Sequence, residues 1–177
     1  MVCIPFIKEN NMLPLHIDVK DRLVLIIGGG KIAYRRLSLF LEEGAEITVV
    51  SPDVVKEIEN LHDENLLNWV KKEVELSDLE NAHIIIAATE HPSINEWVAE
   101  NANKFQLVNV VSNVDKGNFL VPKSVKRGRL SLSVSTNGAS PKLAKEICEN
   151  LSNQFDDEFI EKLDHLYEQR LKKKQRK

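Results

Sequence analysis

The stretch LVLIIGGGKIA, residues 23–33, constrains this chain more than any other. Five apolar residues, Leu23 to Ile27, run without polar alternation into three glycines, and helix formers follow. An unalternated run of this length suits a strand covered on both faces, as in a parallel sheet. Gly28 permits a tight turn, and Gly30 lets the backbone approach a phosphate where a Cβ would collide. Ala33 stands at the third small position, where helix and strand pack closely. A helix opening near Lys31 aims its free N–H groups and positive dipole end at an anion. Gly28, Gly29, Gly30, Lys31, Ile32 and Ala33 are thus the expected dinucleotide-binding residues. The alternative is a glycine turn that serves packing alone.

The 177 residues suit one domain or one and a half. A hydrophobic content of 42% and a charged content of 29% are those of an ordinary globular protein. The net charge of −3 gives no push toward nucleic acid or membrane. Cys3 and Cys148 lie far apart and form no CxxC or Cys/His cluster, which argues against a disulfide framework or structural zinc and for a cytoplasmic setting. No apolar run has the roughly 18 residues of a transmembrane helix. The N-terminal MVCIPFIKENN is too short and polar for a signal peptide and reads as a dispensable extension.

Along the chain, residues 32–41 carry apolar side chains at helical spacing and Gly44 closes the helix. Strands are expected at 46–50 (EITVV), 66–70, 83–88 (HIIIAA) and 106–111 (QLVNVV), with helices at 53–61 and 92–104. Strands alternating with helices imply an α/β fold with a doubly wound parallel Rossmann sheet. Its ligands sit at the carboxyl ends of the strands. Beyond residue 113 the pattern changes. FLVP (119–122) and RLSLSVS (129–135) read as hairpin strands joined by the basic turn KSVKRG, a small antiparallel dimerisation element. A helix follows from Pro141 with Ser140 as its cap, and a last amphipathic helix spans 155–171. The expected organisation is therefore a dinucleotide-binding domain at 13–113, a strand-rich dimerisation and substrate element at 114–140, and helices at 141–177. The exposed hairpin edge suggests a homodimer.

Charge is more informative locally. No Asp or Glu occurs between Lys116 and Lys145, while seven lysines and arginines do. Beside a dinucleotide cleft, such a stretch suits a substrate rich in carboxylates; the plainer reading is a solvated face with lysines protecting a hairpin edge.

Five segments together resemble the precorrin-2 dehydrogenase / sirohydrochlorin ferrochelatase family, the dehydrogenase part of siroheme synthase. They are LPLHIDVKDRLVLIIGGGKIAYRRL from Leu13, GAEITVVSP from Gly44, IIIAATEHPSIN from Ile84, NVVSNVDKGNFLVP from Asn109 and LSVSTNGASPKLAKEI from Leu132. The stand-alone bacterial form is expected, without the methyltransferase domain that some relatives fuse. The resemblance implies oxidation of precorrin-2 to sirohydrochlorin in siroheme biosynthesis with NAD as hydride acceptor, and in some members iron insertion. In many relatives an aspartate with a catalytic role follows NVV. Here that position is Ser112, which is no base at neutral pH. The nearest acid is Asp115, read either as a substitute base or as a turn former in D-K-G.

Other residues carry alternatives. Ser51 and Thr89 end the second and fourth strands and are expected to line the cofactor site. The Thr89 hydroxyl either meets the nicotinamide ribose or caps the next helix. Asp53 falls two residues late for the usual ribose-binding acid, and no arginine stands there for a 2′-phosphate, which favours NAD over NADP. Lys123, Arg127 and Lys142 are expected to hold substrate carboxylates, and Ser140 either does so or caps its helix. His16, His83 and His91 read as structural histidines, and their spacing defines no metal site. The competing functions are a ferrochelatase on the same scaffold and a non-catalytic NAD-sensing module.

Overall fold

The computed structural model describes residues 12–175, so the expected N-terminal extension and Cys3 lie outside the described residues. The chain forms two compact units that divide between Leu120 and Val121.

The first unit is built on five parallel strands in the order β3-β2-β1-β4-β5. They are β1 (Leu23–Ile27), β2 (Glu46–Val50), β3 (Asn68–Val70), β4 (Ile84–Ala87) and β5 (Leu107–Val110). The helices between them are α1 (Lys31–Leu41), α2 (Lys56–Asp63), α3 (Leu76–Leu79) and α4 (Pro92–Asn101). The order places β1 and β4 side by side at the centre, with their carboxyl ends adjacent: Ile27 pairs with Ala87 and with Val50. Chain reversal after β1 therefore creates the crevice that a doubly wound sheet offers to ligands.

The parallel register explains the unbroken apolar strands, because both faces are covered. Leu25, Ile27, Val50, Ile85, Ala87, Val108 and Val110 form one face and cluster with Leu79 of α3 and Val98 of α4. Alternate residues, among them Val24, Ile26, Val49, Ile84 and Ile86, point the other way and are also buried. Ala33, Leu37 and Phe40 of α1 and Ile58 of α2 are buried as well, at the helical spacing that α1 brings against β1 and β2. Each fully buried Ile or Leu contributes about 1.5–3 kcal/mol.

The segment after β5 belongs to this unit. It makes a 3₁₀ turn at Val114–Lys116 and then doubles back along β5. There Asn118 accepts the Val108 N–H at 2.7 Å and donates to the Gln106 carbonyl at 2.8 Å. The buried Asn109 of β5 donates to the Phe119 carbonyl at 3.1 Å.

The second unit holds an antiparallel hairpin, β6 (Lys123–Arg127) and β7 (Leu130–Val134), followed by α5 (Pro141–Ser152) and α6 (Asp157–Lys174). This corrects the expected hairpin. KSVKR, read as a turn, is the first strand, and FLVP lies outside the sheet. The reversal is made by Gly128 and Arg129 between the paired residues Arg127 and Leu130. Gly128 has φ +53, as the first central residue of a two-residue hairpin turn requires. The charged alternation of β6 is that of an edge strand, which hides its strand character from a hydrophobic reading. Both strands contact α5, on which Ala144 and Cys148 are buried.

Substituting Ile86→Ala, in the middle of β4, is expected to lower stability by about 2–5 kcal/mol, since it removes apolar volume covered on both sides. Urea unfolding measures this, and an unchanged midpoint contradicts the packing described.

Candidate functional site

At the carboxyl ends of β1, β2 and β4 lies a cavity of about 1080 Å³. Its walls come from the glycine turn and the first turn of α1, from the 51–55 loop after β2, from Glu73 and Val74 after β3, and from the 88–97 segment after β4. Gly28, Gly29, Gly30, Lys31, Ile32, Ser51 and Thr89 therefore share one cavity. Ala33 does not line it: it is fully buried on the inner side of α1, at the small position where helix and strand pack.

The three glycines do different work. Gly28 has φ +115, and a Cβ on it would lie 2.5 Å from the Ala88 carbonyl oxygen. On Gly29 a Cβ would sit 1.9 Å from the Asp53 carbonyl oxygen. The Gly29 carbonyl also accepts the Val55 N–H at 2.8 Å, so the 51–55 loop is clasped to the turn. A Cβ on Gly30 meets nothing within 4 Å, which marks the one glycine of the three that faces open space. Gly30 is also the N-cap of α1 and provides no side-chain cap, and the first turn of that helix holds no acid. Its leading N–H groups and positive dipole end therefore open on the cavity without an acidic side chain in that first turn.

Ser51 is buried and donates to the Asp53 carbonyl at 2.7 Å. That bond folds the loop back, so that Asp53 lines the cavity although it comes two residues after the strand's usual acid position. Its carboxylate is exposed and stands 3.9 Å from Lys71. Asp53, Glu73 and Glu90 give the cavity three acids against one lysine, Lys31, and one histidine, His91.

Thr89 is fixed by Asn95, a fully buried residue in the first turn of α4. Asn95 Oδ1 accepts from the Thr89 N–H at 3.0 Å and from its hydroxyl at 2.8 Å. Asn95 Nδ2 donates to the Thr89 carbonyl at 3.0 Å and to Ser112 Oγ at 3.3 Å. The Thr89 hydroxyl also lies 3.0 Å from the His91 carbonyl and accepts the His91 N–H at 3.2 Å. These bonds lie just ahead of α4, whose N-cap is His91 and which has no side-chain cap. Asn95 is not among the residues that the sequence motifs single out. The available signal was a carboxamide on the same helical face as Val98, where a chain buries a polar group only with partners.

Ser112 and Asp115 do not line the cavity. Ser112 is exposed and is linked to the cavity-lining Thr89 through Asn95. Asp115 lies in the 3₁₀ turn, where its N–H is accepted by Asn113 Oδ1 at 3.0 Å. His83 Nδ1 accepts the Leu23 N–H at 3.1 Å, and His91 lines the cavity as the N-cap of α4.

The remaining expected ligands belong to the second unit. Arg127 turns inward: its guanidinium bonds the Phe155 carbonyl and the Asp157 carboxylate. Arg129 pairs with Asp164 at 3.2 Å and lies over the Tyr167 ring. The acid-free stretch is thus partly neutralised by acids of α6, which the local sequence could not reveal. Ser140 accepts the Leu143 N–H at 3.2 Å as the α5 cap. Lys123 and Lys142 are exposed. Among the described residues no group of three His, Cys, Asp or Glu side chains is placed to hold a metal ion, and no helix is long and apolar enough to cross a membrane.

Sheet order, glycine turn and open helix end define a dinucleotide-binding Rossmann protein. A model of NAD(P)-binding domains matches residues 15–123, and a model described as "Sirohaem biosynthesis protein central" matches residues 127–154. The chain is 48% identical over 162 residues to the precorrin-2 dehydrogenase of Bacillus subtilis, covering 92% of this chain and all of that one. It is 42% identical to the precorrin-2 dehydrogenase of Priestia megaterium, covering 90% of this chain and 79% of the relative. It also matches 29% of the length of a siroheme synthase from Actinobacillus pleuropneumoniae, at 34% identity. The solved structure "SirC, precorrin-2 dehydrogenase" superposes with a TM-score of 0.78 at 42% identity, over 90% of this chain and 79% of that one. The chain belongs to the precorrin-2 dehydrogenase family.

The glycine geometry separates two substitutions. Gly29→Ala is expected to destabilise the fold by more than about 1 kcal/mol, because backbone must move to admit the methyl group. Gly30→Ala should change stability by less than about 1 kcal/mol. Thermal unfolding of both variants checks this, and equal losses would contradict the assignment of open space to Gly30.

Proposed function

We propose that this chain is an NAD-dependent oxidoreductase that converts precorrin-2 to sirohydrochlorin in siroheme biosynthesis. The observation that carries the reading is the glycine turn, with Gly30 open beneath an uncapped helix N-terminus, in a chain matched along a whole precorrin-2 dehydrogenase. The cavity fits a dinucleotide chemically: backbone N–H donors for a diphosphate, an apolar lining from Ile32, Ile94 and Trp97, and acids at the rim. When bound, NAD supplies the hydride-accepting carbon.

The chain's own residues then have separable tasks. Gly28, Gly29, Gly30, Lys31 and Ile32 hold the diphosphate at the mouth of α1. The Ser51–Asp53 turn meets the adenosine ribose, and the acids Asp53 and Glu73 disfavour a 2′-phosphate and so favour NAD over NADP. Thr89 forms the wall against the nicotinamide half. A macrocycle with many carboxylates needs cations, and Lys123 and Lys142 are exposed for that task. Arg127 supports the unit that carries them through its bonds to the Phe155 carbonyl and to Asp157 of α6.

The oxidation removes a hydride and a proton from the macrocycle. Ser112 takes the position at which the family resemblance implies an aspartate, and a serine is no base at neutral pH. Turnover in this reading rests on positioning, and the proton passes to water. Two copies associate through the second unit, where the hairpin edges and the apolar residues Leu143, Ile147, Leu166 and Leu171 are exposed. The enzyme works in the cytoplasm, where Cys148, buried and free, stays reduced.

An anaerobic assay with the purified chain, precorrin-2 and NAD, following sirohydrochlorin absorbance, should show turnover above the spontaneous background. No such turnover rejects the dehydrogenase, and NAD binding without turnover would favour a sensing module. Gly30→Asp should abolish NAD binding in titration calorimetry by placing a charge where the diphosphate approaches; unchanged affinity would refute the cofactor's placement. Joint replacement of Lys123 and Lys142 by Ala should raise the KM for precorrin-2 by about threefold or more at low salt with kcat retained. An unchanged KM would remove these lysines from the substrate site.

A further inference from the structure

We propose that Asn95 is the positioning residue of the site, its carboxamide setting the distance between the Thr89 wall of the cavity and the Ser112 turn beyond β5. The inference rests on the dehydrogenase reading and adds to it a residue that holds the hydride-transfer geometry without touching the reacting atoms.

A carboxamide offers two acceptor lone pairs and two N–H donors. Asn95 uses all four, and three go to a single residue. Thr89 N–H and Thr89 Oγ are accepted by Oδ1, while Thr89 O is bonded by Nδ2. Every hydrogen-bonding group of Thr89 is therefore engaged by one side chain. The fourth bond leaves this wall for Ser112 Oγ, seventeen residues on in sequence. Asn95 is 0% exposed, so its carboxamide depends on these protein partners rather than on solvent. Outside the same junction, Glu96 pairs with Lys116 at 3.4 Å, a second tie between α4 and the turn after β5. That pair is exposed on both sides and contributes little by itself.

The clamp sits where a small movement matters. Ala88 and Thr89 are in contact range of Gly28, so a shift of the wall changes the mouth of the cavity. Hydride transfer requires donor and acceptor carbons held at near-attack distance, and a displacement of about 1 Å can cost about a hundredfold in rate. The diphosphate end is held separately by the glycine turn, so loosening Thr89 should reduce kcat far more than NAD affinity. A residue serving only the fold predicts no such split, and neither does one that binds cofactor directly.

The test uses the full chain and the variants Asn95→Asp, Ser112→Ala and Ser112→Thr. Asn95→Asp matches the size of the side chain and keeps the acceptors for Thr89 N–H and Oγ, but it loses both donors. We expect kcat to fall by about tenfold to a hundredfold while the NAD Kd from calorimetry stays within about threefold. Ser112→Ala, which removes one arm only, should lower kcat several-fold, and Ser112→Thr, which restores a hydroxyl, should recover it. Exchange of the Thr89 amide, measured on protein without substrate, should be slow in the wild type and faster in Asn95→Asp. Wild-type kcat in Asn95→Asp would overturn the proposal, and so would a loss carried by NAD Kd alone. If Asn95→Asp does not fold, equal kcat in Ser112→Ala and Ser112→Thr overturns it. A wild type that binds NAD without turning over precorrin-2 sinks the dehydrogenase reading instead, and the Thr89 exchange rate still judges the clamp.

Discussion

The structure depends on a close convergence of backbone at the carboxyl edge of the sheet. Three chain segments meet there with no side chain between them: the glycine turn after β1, the loop after β2 and the start of the loop after β4. A Cβ on Gly28 would strike the Ala88 carbonyl, and one on Gly29 would strike the Asp53 carbonyl. Backbone groups this close must be satisfied by one another. The Val55 N–H to the Gly29 carbonyl, the Gly28 N–H to the Val50 carbonyl and the Ala88 N–H to the Ile27 carbonyl do so. Everything proposed for the site follows from this packing, because it leaves Gly30 as the open position among the three.

Two consequences separate a rigid scaffold from a chemically prepared mouth. The apolar strands, covered on both faces, fix the turn from below, while α1 begins without a capping side chain above it. An uncapped helix end exposes polar groups that a ligand can satisfy. On the opposite wall the same economy is reversed, since Thr89 is fully engaged by the buried Asn95. One side of the cavity is left for an anion and the other is immobilised. That division suits a protein whose cofactor carries the redox chemistry and whose own residues supply orientation.

Much of this was legible in the chain. LVLII and HIIIAA gave their strands because burial on both faces removes polar alternation, and GGGKIA gave the turn because only glycine tolerates its contacts. The family resemblance reached the fold class and the cofactor. What was not legible depended on partners distant in sequence or on local geometry without an apolar pattern. Arg127 reads as a substrate ligand from its local charge, and only the fold brings it to the Asp157 carboxylate of α6 and the Phe155 carbonyl just before that helix, thirty residues away at most. KSVKR looked like a turn because Val125 is its only apolar residue, and an edge strand needs no more than that. Asp53 comes two residues past the usual acid position, and the local Ser51 hydroxyl bond to its carbonyl, which no hydrophobic pattern signals, accompanies its place in the cavity wall. Asn95 lay inside a helix whose pattern signals burial, but its four bonds exist only once β4, α4 and the turn after β5 are assembled.

The central claim is that the glycine turn and the first turn of α1 receive the diphosphate of NAD. A crystal structure of the chain soaked with NAD tests it most directly. The account predicts diphosphate oxygens within hydrogen-bonding distance of backbone N–H groups between Gly30 and Ile32, with the nicotinamide half along the Thr89 wall. Density for NAD elsewhere on the molecule, or this mouth filled by the protein's own side chains, would contradict it.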